Sequence, residues 1–328
     1  MNILVIGGAG YIGSHMTLQL EQFGHQVIVL DNLCSGQAAA VGSFPFYEAD
    51  MADIAVLDVI FRSHTIDAVM HFAAHIEVAE SVSDPAKYYK NNVAKTQLVL
   101  DAMCRHKVKQ FIFSSTAAIF GNPSYTPINE EHPTRPVNPY GRSKLMVEQM
   151  LADYDHAYGI RSVCLRYFNA AGADPQGRVG ECHHPETHLI PLVLQAASGR
   201  RQSIAVYGVD YETVDGSCVR DYIHVNDLCL AHSKALTYLV EGGDSRVFNL
   251  GNGEGFSVLE IIQAARAVTS KAITMIEEPR RIGDPAILIA DASLAKEVLG
   301  WCPERPALED IIADAWAWEQ KLCIDLAE

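Results

Sequence analysis

Through the first half of the chain, short apolar runs alternate with stretches of helical length. Asn2–Ile6, Val27–Leu30, Ala68–Phe72, Gln110–Ser114 and Ser162–Arg166 are nearly continuous in apolar character and rich in Val, Ile and Phe. Parallel strands covered by helices on both faces carry that pattern, because neither side of the sheet meets water. Between them lie 12–23, 84–106 and 139–158, each long enough for a helix. The alternation predicts an α/β fold, a doubly wound parallel sheet with right-handed crossovers. Beyond Phe168 the texture changes. Residues 169–219 are rich in Gly, Pro, His and Asp with little regular period; strand-like 247–250, helix-like 257–269, strand-like 273–276 and a helical stretch at 307–322 follow. This divides the chain into a sheet domain, 1–168, and a smaller α/β domain, 169–328, with some later segments returning to the first.

Directly after the first strand stands Gly7-Gly8-Ala9-Gly10-Tyr11-Ile12-Gly13, which opens the first helix. Glycines at 7, 10 and 13 let the backbone turn tightly, approach a pyrophosphate and bring helix against sheet. The helix then presents unpaired N–H groups and the positive end of its dipole to the phosphates. Asp31 closes the second strand, where a carboxylate accepts hydrogen bonds from a ribose diol and repels a 2′-phosphate, so NAD is expected rather than NADP. The sheet is therefore read as Rossmann-like.

A second constellation follows Pro139. Tyr140 and Lys144 stand four residues apart near a helix start, on one face and a turn from each other. A free phenol, with a pKa of about 10, is a poor base at neutral pH. A neighbouring ammonium and an oxidised nicotinamide favour its phenolate, which can take a proton from a substrate hydroxyl. Ser114-Ser115-Thr116 ends the fifth strand and supplies hydroxyls nearby.

The spacing G-x-x-G-x-x-G resembles the extended short-chain dehydrogenases/reductases. Asn138-Pro139-Tyr140-Gly141, Leu165-Arg166-Tyr167-Phe168-Asn169, Val219-Arg220-Asp221-Tyr222-Ile223-His224-Val225 and Arg281-Ile282-Gly283-Asp284 extend the likeness along the whole chain to the UDP-glucose (UDP-galactose) 4-epimerase family. The resemblance makes Tyr140 the base, Lys144 its cationic neighbour and Thr116 the hydroxyl partner. It implies that NAD is held by Gly7, Gly10, Tyr11, Ile12, Gly13, Asp31 and Asn32. Asp50 and Met51 lie after the third strand, Phe72, Ala73 and Ala74 after the fourth, and Asn91, Ser114 and Tyr167 complete the cofactor set with Tyr140 and Lys144. For a UDP-sugar it implies Thr116, Tyr140, Phe168, Asn169, His188, Leu189, Val206 and Tyr207, with Arg220 and Arg281 on the diphosphate and Asp284 on the ribose. The implied reaction oxidises the sugar at C4 and reduces it again from the opposite face. Leu288 falls where a bulky aromatic limits N-acetyl sugars, so UDP-N-acetylhexosamines or UDP-pentoses become candidate substrates beside UDP-glucose and UDP-galactose.

Charge and cysteine usage narrow the partners. Lys and Arg number 25 against 40 Asp and Glu, a net −15. Such a chain repels nucleic acid and anionic lipid, so neither is an expected partner. No basic leader or long apolar core opens the sequence, and the eight cysteines form no C-x-x-C pair; a cytoplasmic protein with reduced thiols is expected. A homodimer is implied by family analogy. The nearest rival, a nucleotide-sugar 4,6-dehydratase, needs an Asp-Glu pair after the hydroxyl residue, where this chain has Ala117-Ala118. A non-catalytic NAD-binding regulator is disfavoured by the intact Tyr140 and Lys144. Glu181-Cys182-His183-His184 with His188 matches no standard zinc spacing, and adjacent loop residues often cannot converge, so no metal is expected.

Overall fold

The computed structural model describes residues 1–281 and 284–325. The chain runs β1 (Asn2–Ile6), α1 (Tyr11–Gln22), β2 (Gln26–Asp31), β3 (Phe46–Glu48), α2 (Ile54–His64), β4 (Ala68–His71), α3 (Val78–Ser83), α4 (Pro85–Tyr88), α5 (Lys95–His106), β5 (Gln110–Ser114), α6 (Pro139–Tyr158) and β6 (Arg161–Tyr167). It continues through β7 (Asn169–Ala171), α7 (Leu189–Ser198), β8 (Ile204–Tyr207), β9 (Val219–His224), α8 (Val225–Val240), β10 (Arg246–Leu250), β11 (Gly255–Ser257) and α9 (Val258–Thr269). Last come β12 (Met275–Glu278), β13 (Ile287–Leu288), α10 (Ser293–Leu299) and α11 (Leu308–Asp325).

Seven strands form one parallel sheet in the order β10-β6-β5-β4-β1-β2-β3. The chain winds outward from β1 to β3, then returns to the other side of β1 and winds outward again. Both faces of β1 are buried, as its unbroken apolar run requires. Ile3 and Val5 pack with Met16 and Leu20 of α1 and Leu228 and Leu236 of α8. Leu4 and Ile6 pack with Leu57 and Ile60 of α2, Val99 and Met103 of α5, and Val147 of α6. Each such aliphatic side chain contributes about 1.5–3 kcal/mol by leaving water. The fold is the expected doubly wound one, and β10, distant in sequence, supplies its edge beside β6.

A smaller set of elements sits at the carboxyl end of the sheet. β9 pairs with β11 in antiparallel fashion, with β13 through Val219 and Arg220, and with β7 through Tyr222–His224. β8 pairs with β12. Ile190, Val193 and Leu194 of α7, Ile261 and Ile262 of α9, and Ile311 and Ile312 of α11 form the third core.

Several segments differ from the sequence reading. The stretch 84–106 is helical from Pro85 to His106 but not uniformly α: Asp84 caps α4, Pro85 takes its first turn, and a π-helical turn, Tyr89–Ala94, joins α4 to α5 through αR backbone. Pro85 suits that start, since the first helical residue needs no N–H donor. Helices α2 and α8 carry no expectation from the sequence. Nor is 169–219 irregular throughout; α7 is apolar almost all round, as a buried helix is, so its period does not show. Among the described residues no helix is long and apolar enough to cross a membrane.

One buried polar network ties the sheet to α6. Glu148 accepts Arg166 Nε and Nη2 at 3.0 and 2.6 Å and the Ser115 hydroxyl at 2.5 Å. Arg166 also lies over the Phe120 ring. Removing the carboxylate charge leaves a buried guanidinium without its counter-ion, so Glu148→Gln should cost about 3 kcal/mol, read as a lowered midpoint in urea unfolding.

Candidate functional site

The glycine turn sits where the winding reverses, between the carboxyl ends of β1 and β4, the crevice in which doubly wound sheets bind ligands. Gly7 has φ +85°, and a Cβ there would stand 2.5 Å from the Ala73 amide nitrogen. A Cβ on Gly13 would come within 2.0 Å of the Gly7 carbonyl oxygen, so only glycine lets α1 start this close to the loop. Gly10 differs. Its φ is −81°, and a Cβ there would meet nothing nearer than the Gly7 oxygen at 3.4 Å. The protein's own packing therefore does not demand a glycine at 10. No side chain caps α1 and its first turn holds no acid, so a phosphate is a fitting acceptor for the first-turn N–H groups.

Asp31 braces this turn: its carboxylate accepts the Ala9 and Leu33 N–H groups at 3.0 and 2.9 Å. Burial pushes its carboxyl up, and those N–H groups oppose the rise. Asn32 donates to Asp50, which also pairs with Lys95 at 2.5 Å and accepts the Ala52 N–H. Phe72 packs against the His232 ring, with centroids 4.9 Å apart. The Tyr11 and Met51 side chains are turned into the protein, Tyr11 donating to the Gly172 carbonyl at 2.7 Å and Met51 packing in the core under β1. For these two only the backbone is available to a ligand.

Thr116, Tyr140 and Lys144 converge at the end of β5. Asn138 caps α6 by accepting the Gly141 N–H, and Pro139 takes the first turn, which sets Tyr140 and Lys144 one turn apart. The Thr116 hydroxyl lies close enough to the Tyr140 phenol to favour its ionised form and accepts the Ala118 N–H at 3.1 Å. Lys144 is buried, donates to the Ser114 carbonyl at 2.8 Å and lies over the Phe113 ring. Burial drives its ammonium down to about 7, against the opposing pull of Glu148. Burial also pushes the Tyr140 phenol up. The protein groups alone therefore favour a neutral phenol, with burial outweighing the hydroxyl of Thr116.

The second half brings its own residues to this mouth. In the small sheet Asn169 is the register partner of Tyr222, and Leu288 that of Arg220. Arg220 is ion-paired with Asp284, and Arg281 lies 4.0 Å over the exposed Tyr207 ring. Phe168 and Leu288 pack on one cluster with Ile119, Phe120 and Ile128. The Val206 side chain lies in the third core, so it offers a ligand only its backbone.

A profile of the NAD dependent epimerase/dehydratase family matches residues 3–251. The chain is 54% identical over 321 residues to the UDP-glucose 4-epimerase of Halalkalibacterium halodurans, covering 98% of this chain and 96% of that one. The crystal structure of the Brucella ovis UDP-glucose 4-epimerase in complex with NAD superposes with a TM-score of 0.94 at 49% identity, covering 96% and 97% of the two chains. That of the Bifidobacterium longum enzyme with NAD+ and UDP gives 0.92 at 39%, covering 98% of each. This chain belongs to the NAD dependent epimerase/dehydratase family.

Against that family background, the Arg220–Val225 run divides its duties. Arg220 faces Asp284, whereas Asp221 is fully buried and accepts the N–H groups of Asn252, Gly253 and Ala290. His224 contacts Asp314 and accepts the Asn226 N–H. Half of this motif therefore builds the small sheet. Sequence reasoning missed Glu148 and Asn92. Asn92 clamps the His75 peptide at 2.9 and 3.0 Å and donates to Ser143, whereas its neighbour Asn91 only donates to it. The adjacent Asn91-Asn92 pair was visible, but only the π turn selects which of them is buried. The loop before α7 also departs from expectation: Glu181, His183, Glu186 and His188 do converge, their donor atoms lying within 4.8 Å of one another. His188 turns its Nδ1 to Glu181, and Leu189 begins α7.

Two outcomes follow from this geometry. Gly13→Ala should destabilise the ligand-free chain by about 1–3 kcal/mol through overpacking, whereas Gly10→Ala should cost less than about 1 kcal/mol. Yet Gly10→Ala should weaken NAD binding at least about tenfold, an effect of 1.4 kcal/mol or more; thermal melts and NAD titration separate the two. Lys144 titrates near 7 folded and at its ordinary 10.5 unfolded, so the unfolded chain holds more protons between those values and stability rises with pH across that window. Lys144→Met should therefore be more stable than the parent at pH 7 by a margin that shrinks towards pH 10, as read by urea melts at both ends.

Proposed function

We propose that this chain catalyses NAD-dependent 4-epimerisation of a UDP-hexose, interconverting UDP-glucose and UDP-galactose. The observation that carries the reading is the Thr116–Tyr140–Lys144 constellation beside a glycine turn whose Gly10 has no reason in the protein's own packing, in a chain whose relatives at about half identity are UDP-glucose 4-epimerases along nearly their whole length. NAD would be held by the first-turn N–H groups of α1, Asp31 and Asn32, with Asp50 at the adenine side. When bound, it supplies reversible hydride transfer at the sugar C4.

The chain's own groups handle the proton and the grip. Tyr140 takes the proton of the 4-hydroxyl and later returns it, and the Thr116 hydroxyl orients the reacting oxygen by hydrogen bond. Desolvation alone keeps the phenol protonated, so ionisation needs positive charge from Lys144 together with the nicotinamide. Coupling the base to a loaded site in this way limits proton removal to the complex. Arg220 and Arg281 grip the diphosphate; a guanidinium fork suits phosphate oxygens, and a local cationic mouth on a chain of net −15 draws an anionic nucleotide to the right place. Asp284, paired with Arg220, is then shared between the ribose and that arginine. A firm hold on UDP and a loose one on the hexose let the sugar present either face. Ala117 and Ala118 after Thr116 offer no acid for dehydration across C5–C6, which disfavours a 4,6-dehydratase.

In this reading residues 1–168 carry the cofactor and 169–328 most of the sugar nucleotide, although α8 and β10 serve the first sheet. All eight cysteines are free, which suits a reducing cytoplasm. The chain pairs as a homodimer through α5 and α6, where Met146 is exposed.

Purified protein given UDP-galactose without added cofactor should yield UDP-glucose with no accumulation of reduced nicotinamide; a 4-keto-6-deoxy product would mean a dehydratase. Tyr140→Phe should lower kcat by about 10²–10⁴-fold while NAD stays bound, as read by epimer separation and cofactor content. UDP-N-acetylgalactosamine in the same assay tests whether Leu288 leaves room for the acetyl group.

A further inference from the structure

We propose that Glu181, His183, Glu186 and His188 form a structural site for one divalent transition-metal ion, zinc above others. Both histidines present Nδ1, and both glutamates present a carboxylate oxygen, to one common point. His183 Nδ1 lies 3.1 Å from Glu181 Oε1 and 3.7 Å from Glu186 Oε2; His188 Nδ1 lies 3.7 Å from Glu186 Oε1 and hydrogen-bonds Glu181. A tetrahedral ion with ligands at about 2.0–2.2 Å spaces its donors by about 3.3–3.5 Å, and the group is within small side-chain rotations of that. His183 Nδ1 is fully covered yet makes no hydrogen bond, being misaligned for Glu181 and too far from Glu186. A buried polar atom aimed at two acceptors without bonding either is the condition a metal ion resolves.

The surroundings hold the donors in place, as a metal site requires. Glu186 Oε1 accepts the Thr187 and His188 N–H groups at 2.8 and 2.9 Å, which orients its second oxygen towards His183. The Glu181 carbonyl accepts Trp318 Nε1 at 2.9 Å, and a Cβ on the preceding Gly180 would strike the Trp318 ring at 2.3 Å, so the loop is clamped to α11. The His183 ring meets the edge of Tyr11, the first residue of α1. Two imidazoles with two carboxylates suit zinc-like ions; calcium and magnesium prefer shells of oxygen alone. Four protein donors leave no open position, so the ion would brace the loop between the glycine turn and α11 and take no part in the chemistry. The two carboxylates neutralise its double charge.

The test uses the full-length protein with whatever cofactor it retains, stripped with chelator and titrated with zinc chloride. Calorimetry and elemental analysis should find one zinc per chain, cobalt should give the visible absorption of a tetrahedral site, and zinc should raise the melting temperature. His183→Asn and Glu186→Gln, the second nearly isosteric, should each weaken zinc at least tenfold and lose the zinc-dependent rise, whereas Cys182→Ser should keep both. Absence of stoichiometric zinc from the parent chain, or equal zinc binding by both variants, overturns the proposal.

Discussion

Two stretches of backbone meet with no side chain between them where β1 and β4 end. Gly7 approaches the Ala73 amide so closely that any Cβ would collide, and Gly13 approaches the Gly7 carbonyl even more closely. The winding of the sheet reverses at this point, so the same contact opens the crevice and sets the start of α1 against it. Asp31 then spans the turn through two N–H groups. If this contact were displaced, the helix dipole, the carboxylate and the crevice would no longer share one site.

Burial is the second organising force, and it works against the charges that the chemistry needs. Lys144 is brought down to about 7 and the Tyr140 phenol is raised, both by desolvation. The opposing influences are built in: Glu148 lies four residues beyond Lys144 on α6, supports its ammonium, and is itself locked by Arg166 and Ser115. One buried carboxylate thus steadies the Lys144 ammonium and the strand end carrying Thr116.

The mouth of the site is assembled by β9. Its first residues pair with β13 and its last with β7, so Leu288, Arg220 and Asn169 meet although more than a hundred residues separate the outermost two. The intervening Asp221 collects three backbone N–H groups from the neighbouring turns, and the sheet depends on it. A motif recognised as a binding signature is therefore half scaffold, because a strand alternates its side chains between two environments.

By itself the sequence determined the parallel sheet, the glycine turn, Asp31 and the Tyr140–Lys144 pair. Each rests on local rules: unbroken apolar runs, residues tolerant of close approach, and a four-residue spacing on a proline-started helix. Tertiary structure alone decided the rest. It set a π turn within 84–106 and chose Asn92 over Asn91; it hid α7, whose apolar surface shows no period when buried all round; and it carried β10 back to the edge of the first sheet. It also gathered Glu181, His183, Glu186 and His188 on a loop whose spacing matches no standard zinc pattern. The physical reason is common to these cases: which groups converge depends on where distant elements pack, and a local pattern holds no record of its distant neighbours.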